Sequence, residues 1–357
     1  MPSATSSESA FFSVKGELDG VDGDWPRAKE ALHTKPPMAL SRFARFSWGV
    51  LLYNLGVIAW GAYVRASGSG AGCGSHWPLC DGQVMPRAKS VEMVVELSHR
   101  VTSGIALLLV IAMSVWAFRA YPRASNVRRG AAMSVAFILA EALIGACLVL
   151  FELVAHDASL KRALSMSLHL TNTFFLLASL TLTAWWASGG APVRLRGQGA
   201  VRWTLGAAML ATLVLGTSGA VAALGDTLFP ARSFVDGLTQ DVSTTAHIFV
   251  RLRLLHPFIA TGTALFVIGA SASARWLRPS LRVRTMSRVV AAMFVLQYGA
   301  GLLNVVLLAP IGMQLLHLLL ADLVWISLVL LGATALAGEE QTCRASTVFP
   351  ESTARVA

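Results

Sequence analysis

Eight apolar stretches punctuate the chain, at residues 46–66, 92–117, 131–153, 163–187, 203–223, 250–273, 288–309 and 312–336, with short polar connections between them. Each is close to the roughly 20 residues that an α-helix needs to cross a bilayer. The pattern predicts an all-α, polytopic membrane protein of eight transmembrane helices. Residues 1–45 are polar, mixed in charge and dotted with Gly, Ser and Pro, the composition of a disordered tail. Residues 337–357 form a second, short polar tail, and 188–202 a linker between the fourth and fifth stretches.

Basic residues alternate from one connection to the next. Lys35, Arg42 and Arg45 precede the first span. Arg119, Arg123, Arg128 and Arg129 follow the second, Arg194, Arg196 and Arg202 the fourth, and Arg275, Arg278, Arg282, Arg284 and Arg288 the sixth. The intervening connections are poorer: Arg87 and Lys89 in the first, Lys161 and Arg162 in the second, Arg232 in the third. By the positive-inside rule both termini are cytoplasmic. The net charge of +10 is therefore an orientation signal and not a nucleic-acid face, and 55% hydrophobic with 13% charged residues excludes a soluble domain. No cleavable signal is visible, and Glu8, Glu17, Asp19, Asp22 and Asp24 argue against a mitochondrial transit peptide. The expected place is a bacterial cell (inner) membrane, multi-pass, with lipid as the immediate partner.

The chain also repeats itself. An offset of 157 aligns Glu96-Leu-Ser-His99 with Arg253-Leu-Leu-His256, Phe137 onward with Phe294 onward, and Gly61-Ala-Tyr-Val with Ser218-Gly-Ala-Val. His169 and His317 are related by 148, the loop after the third span being longer than that after the seventh. Such internal symmetry reads as two pseudo-symmetric four-helix bundles, 46–187 and 203–336.

The repeat carries the candidate chemistry. His99, His169, His256 and His317 fall inside the even-numbered spans, each entered from the outer side. Ionisable residues at membrane depth are costly and mark function. Four at matched depth read as two pairs of axial ligands, His99 with His169 and His256 with His317, one pair per haem iron; the alternative is a set of interhelical hydrogen bonds. His256-Pro257 adds a helix distortion. Glu96 shares a helix face with His99, whereas its repeat partner is Arg253. It is either a chemical group or a structural partner of Arg65 or Arg100. Arg65, Arg100, Arg251 and Arg253, near the outer helix ends, suit haem propionates or plain interfacial snorkelling. Cys73 and Cys80, seven residues apart in an outer loop, can close a disulfide, structural or redox-active; a Cys73/His76/Cys80 zinc site lacks a fourth ligand. Cys147 reads as an apolar filler, Cys343 as a reduced cytoplasmic thiol, and His33, His156 and His247 as solvated. Glu141, Gln297 and Asn304 are polar groups inside the third and seventh spans; spacing alone does not choose between cross-helix bonds and a lined path.

Taken together, Gly61-Ala-Tyr-Val-Arg65 running into Ser-Gly-Ser-Gly, Cys73 through Trp77-Pro-Leu-Cys80-Asp-Gly, Glu96-Leu-Ser-His99-Arg100, His169, Arg251-Leu-Arg253-Leu-Leu-His256-Pro257 and His317 resemble the haem A synthase family over roughly 46–336. The resemblance implies a membrane oxidoreductase that converts the C8 methyl of haem O to a formyl group, with oxygen from water and dehydration of a gem-diol, to give haem A for cytochrome oxidase. It implies that Glu96, His99 and His169 form the substrate site, that His256 and His317 hold a permanent haem b, and that Cys73 and Cys80 are the first-loop cysteine pair. The implied partners are a haem O-supplying synthase and an electron acceptor that the sequence does not identify; a homo-oligomer is left open. Some members carry a second cysteine pair in the third outer loop, where this chain has Leu224-Gly-Asp-Thr-Leu-Phe-Pro230. The competing readings are a di-haem electron-transfer cytochrome and a haem carrier or assembly factor.

Overall fold

The structure, a computed structural model, describes residues 40–84 and 86–337. The expected tails at 1–39 and 338–357, with His33 and Cys343, lie outside the described residues. Ten helices follow in order: α1 (Arg42–Ala66), α2 (Val91–Ala120), α3 (Asn126–Leu150), α4 (Leu160–Ala187), α5 (Ala200–Leu228), α6 (Phe234–Val242), α7 (Ile248–Arg253), α8 (Leu255–Leu277), α9 (Leu281–Val306) and α10 (Ile311–Ala335). Taking Ile248–Leu277 as one interrupted span, eight are long and apolar enough to cross a membrane. The chain is a multi-pass membrane protein, and among the described residues there is no strand, only two isolated bridges.

Most helices start several residues before the apolar stretch that announced them, because capping and not hydropathy sets their ends. Ser41, Ser90, Ser125, Ser159 and Ser280 each accept a bond from the backbone N–H three residues on, satisfying a donor that the first turn leaves free. The charged first turns of α3, α4 and α9 are therefore helical although they are not apolar. The break between α7 and α8 falls at Leu254, where Pro257, having no N–H, cannot bond back to the Arg253 carbonyl. It lies just ahead of His256.

Two apolar cores hold the spans together. One joins α1, α2, α3 and α4 through residues such as Leu51, Val110, Ile138 and Leu177. The other joins α5, α8 and α9 through Leu205, Val267 and Val290. The helix α10 enters both: Trp325 and Val329 belong to the first core, Leu328 and Leu331 to the second. The packing therefore does not divide cleanly at the α4–α5 linker into four helices and four. Trp325 stacks on Phe174 with ring centroids 5.1 Å apart and donates its Nε1–H to the Phe174 carbonyl at 2.6 Å. Lipid is as apolar as a buried side chain, so such close packing and cross-helix bonds, rather than escape from water, hold the spans together. On the linker side, Arg194 N–H donates to the Leu336 carbonyl at 2.9 Å, strapping the α4–α5 connection to the end of α10.

Candidate functional site

All four span histidines face the odd-numbered span that precedes them, and each meets a glycine there. A Cβ on Gly61 of α1 would lie 2.8 Å from the His99 ring on α2, one on Gly219 of α5 would lie 3.1 Å from His256 on α8, and one on Gly301 of α9 would lie 2.9 Å from His317 on α10. At Gly145 of α3 the distance to His169 on α4 is a looser 3.7 Å. Three of the four rings thus occupy space that any other residue would fill. A glycine meets each of the four histidines, but Gly219 and Gly301 stand one position off the repeat partners of Gly61 and Gly145, and sequence spacing alone did not single the contact out.

The two rings of the second pair lie close together. His256 and His317 have ring centroids 6.5 Å apart and planes at 89°. A metal–imidazole bond of about 2.0–2.1 Å, the length known for zinc, puts the centroids of a linear bis-imidazole pair roughly 6.3 Å apart. Ser218 Oγ lies 2.9 Å from His256 Nδ1, which leaves Nε2 as the ring nitrogen without a hydrogen-bond role there. His317 Nδ1 is buried without a partner, and its Nε2 lies 3.3 Å from the Gln297 amide. In the first pair, His99 Nδ1 is likewise buried and unpartnered. His256 and His317 thus each make one contact to a neighbouring helix, while a ring nitrogen of His99 and one of His317 stay buried without a partner.

Glu96 is 3% exposed, one turn before His99. Its Oε2 accepts the Cys73 N–H at 2.8 Å and its Oε1 pairs with Arg100 at 2.5 Å. Of the two structural partners open to it, Arg100 is the one engaged. Arg100 also donates to the His76 and Leu79 carbonyls, so it fastens the α1–α2 loop to α2. Within that loop Cys73 and Cys80 form a disulfide, with Cα atoms 4.5 Å apart and both residues fully buried. The bridge removes two of the three ligands that a zinc site there would have used. A carboxylate offers about four lone-pair sites, so Glu96 retains acceptor capacity beyond its two partners.

The other arginines are already occupied or free for distinct reasons. Arg65 reaches from α1 to the Ala223 carbonyl (2.9 Å), Thr227 Oγ1 (2.7 Å) and Gln314 Oε1 (2.8 Å), tying α1 to α5 and α10. Arg253 pairs with Asp226 at 3.2 Å and Asp241 at 2.5 Å, pinning α6 to the outer end of α5. Arg251 is exposed and makes no side-chain hydrogen bond among the described residues, so it alone of the four stands free for an anionic group. His247 caps α7 and stacks on Phe229 rather than standing in solvent.

Two polar groups inside the spans take a definite place. Glu141 Oε1 lies 2.8 Å from His169 Nδ1, in a contact too poorly aligned for a hydrogen bond, and the carboxylate is held by Asn172 and Thr173. Asp322 of α10 is fully buried, and neither of its oxygens has a partner among the described residues. The sequence reading passed over Asp322, although an acid in an otherwise apolar span is itself a signal.

The cytochrome oxidase assembly protein family, COX15-CtaA, matches residues 44–329. The chain belongs to that family. It is 52% identical over 298 residues to a Thermus thermophilus protein named protoheme IX farnesyltransferase, covering 84% of this chain and 49% of that one. It is 41% identical over 106 residues to the heme A synthase of Geobacillus kaustophilus, covering 30% and 33%, and 45% identical over 105 residues to that of Shouchella clausii, covering 29% and 34%. The chain thus spans about half the length of the Thermus relative and about a third of the shorter ones it matches.

Proposed function

We propose that this family member is a haem A synthase: a bacterial cell-membrane oxidoreductase, termini cytoplasmic, that converts the C8 methyl of haem O to a formyl group with water as the oxygen source. The observation that carries the reading is an asymmetry between two like-built histidine pairs. A buried carboxylate, Glu96, stands one turn from a ligand in the first pair, where the second has Arg253 bound to two acids. A wire that only passes electrons needs no acid at one end alone.

His256 and His317 would hold a resident haem b, and His99 and His169 the haem O substrate. Bound haem b supplies a one-electron relay to an external acceptor. Methyl to formyl consumes one water and releases four protons and four electrons, with a gem-diol losing water at the end. Glu96, fixed at both oxygens by Cys73 N–H and Arg100, would accept a proton from the reacting carbon or stabilise positive charge there. The disulfide-closed first loop would cover the site and limit access of water, and Arg251 would meet a propionate. Farnesyl transfer to protohaem is the class of reaction that must supply the substrate.

Co-expression with a haem O source, followed by pigment extraction from the purified protein, tests the reading. Haem A or hydroxylated haem O is expected. Haem B alone in two stoichiometric sites would mean an electron-transfer cytochrome, and readily exchanged haem in both a carrier. Haem O formed in a strain with no other source would mean prenyl transfer instead. His256→Ala and His317→Ala should each abolish the permanent low-spin haem; a full spectrum in either sinks the ligand assignment.

A further inference from the structure

The two fourth-span histidines are met by different groups from the span before them. From α3, Glu141 brings a carboxylate oxygen to 2.8 Å from His169 Nδ1. From α9, Gln297 brings a neutral amide to 3.3 Å from His317 Nε2, the opposite ring nitrogen, and His317 Nδ1 is left with no partner. The two contacts are not repeat positions of one another: the residue 157 beyond Glu141 is Tyr298, whose hydroxyl instead pairs with Thr261 at 2.9 Å. Each side has found its own neighbour for the imidazole, and only the first is an acid. That acid is fixed in place: Asn172 and Thr173, one turn along α4 from His169, each bond one of its oxygens, and Asn172 also donates to the Phe137 carbonyl at 2.9 Å.

We propose that Glu141 is a positioning residue for His169, placing a negative charge behind one iron ligand of the first site that the second site, with Gln297, does not have. The proposal rests on the histidines being iron ligands. A carboxylate close to the far nitrogen of a ligating imidazole raises the ring's basicity through its charge. A negative charge in a medium of low dielectric favours the ferric over the ferrous state. The first site therefore has the lower reduction potential of the two, and electrons run from it toward the second.

Haemin binding and redox titration in single-site backgrounds test this. His317→Ala leaves the first pair intact and His169→Ala leaves the second. In the first background Glu141→Gln raises the midpoint potential of bound haemin; in the second, Gln297→Glu lowers it. A tenfold change in the ferric-to-ferrous affinity ratio reads as about 59 mV for one electron, and a shift of that order is expected. If haemin stays bound and Glu141→Gln leaves its potential unchanged, Glu141 is only a structural partner of Asn172 and Thr173, and the proposal falls while the function stands. If the His317→Ala protein binds haemin equally well after His169→Ala is added, the ligand assignment fails and takes the proposal with it. Should Glu141→Gln not accumulate, Gln297→Glu decides: a lowered potential supports the charge argument, and an unchanged one overturns it.

Discussion

Alanine at the histidine-facing glycines should damage haem binding in a graded way that follows the distances. In Gly301→Ala the new methyl would stand 2.9 Å from His317 Cε1. Carbon atoms prefer about 3.5–4.0 Å, so the ring must yield by roughly 0.6–1.1 Å. A functional geometry tolerates only about 0.5 Å of displacement. Overfilling a packed site costs about 1–3 kcal/mol. If that falls on the ligating state, haemin affinity drops roughly 5–140-fold, at about 1.4 kcal/mol per factor of ten. Gly61→Ala, at 2.8 Å from His99, should be at least as severe, and Gly219→Ala, at 3.1 Å from His256, milder. Gly145→Ala, with its Cβ 3.7 Å from His169, meets only ordinary contact and should bind near wild type. The assay is haemin titration of the purified variants by Soret absorbance, with electron paramagnetic resonance to report the axial ligands. Equal damage at Gly145 and Gly301, or an unaltered low-spin signal and affinity in Gly301→Ala, would refute the reasoning.

Two further outcomes follow from the first outer loop. Glu96→Gln keeps volume and hydrogen bonding but removes the charge, so the fold and the resident haem should persist while haem A formation drops on the order of 10²-fold or more; near-normal haem A by pigment analysis would return Glu96 to a structural partner of Arg100. Cys73 and Cys80 should resist alkylation until reductant is added, read by mass spectrometry. Their replacement by Ser should cost about 2–3 kcal/mol of loop-closure stabilisation, seen as earlier thermal unfolding; an unchanged melting profile would count against it.

The fold was legible because a membrane imposes one rule on every span, and a run of apolar residues long enough to cross has few alternatives. Helix ends were less legible, since Ser90 or Ser280 caps a first turn that hydropathy scores as loop. The histidines were legible as a set because each is a costly group recurring in a repeat. Which arginine answers Glu96 was not: Arg65 and Arg100 both stand at outer helix ends, and the fold of the disulfide loop decides between them. The glycine behind each ring and the carboxylate behind His169 involve residues on neighbouring helices, and register between helices is a property of packing that no single span encodes. Asp322 was visible and passed over, lacking a repeat partner.

The insertion of α10 into both cores gives biosynthesis a direction. At about 5–20 residues per second, the roughly 150 residues between the end of α4 and the end of α10 take roughly 7–30 s to be made. Throughout that interval Phe174 has no indole to stack on, and neither core has its closing wall. His317 arrives with the same segment, so His256 gains its facing ring only as α10 enters. A stop codon or frameshift late in the message would therefore strip both cores at once rather than spare the earlier spans, and quality-control proteases would meet an entire unfinished bundle.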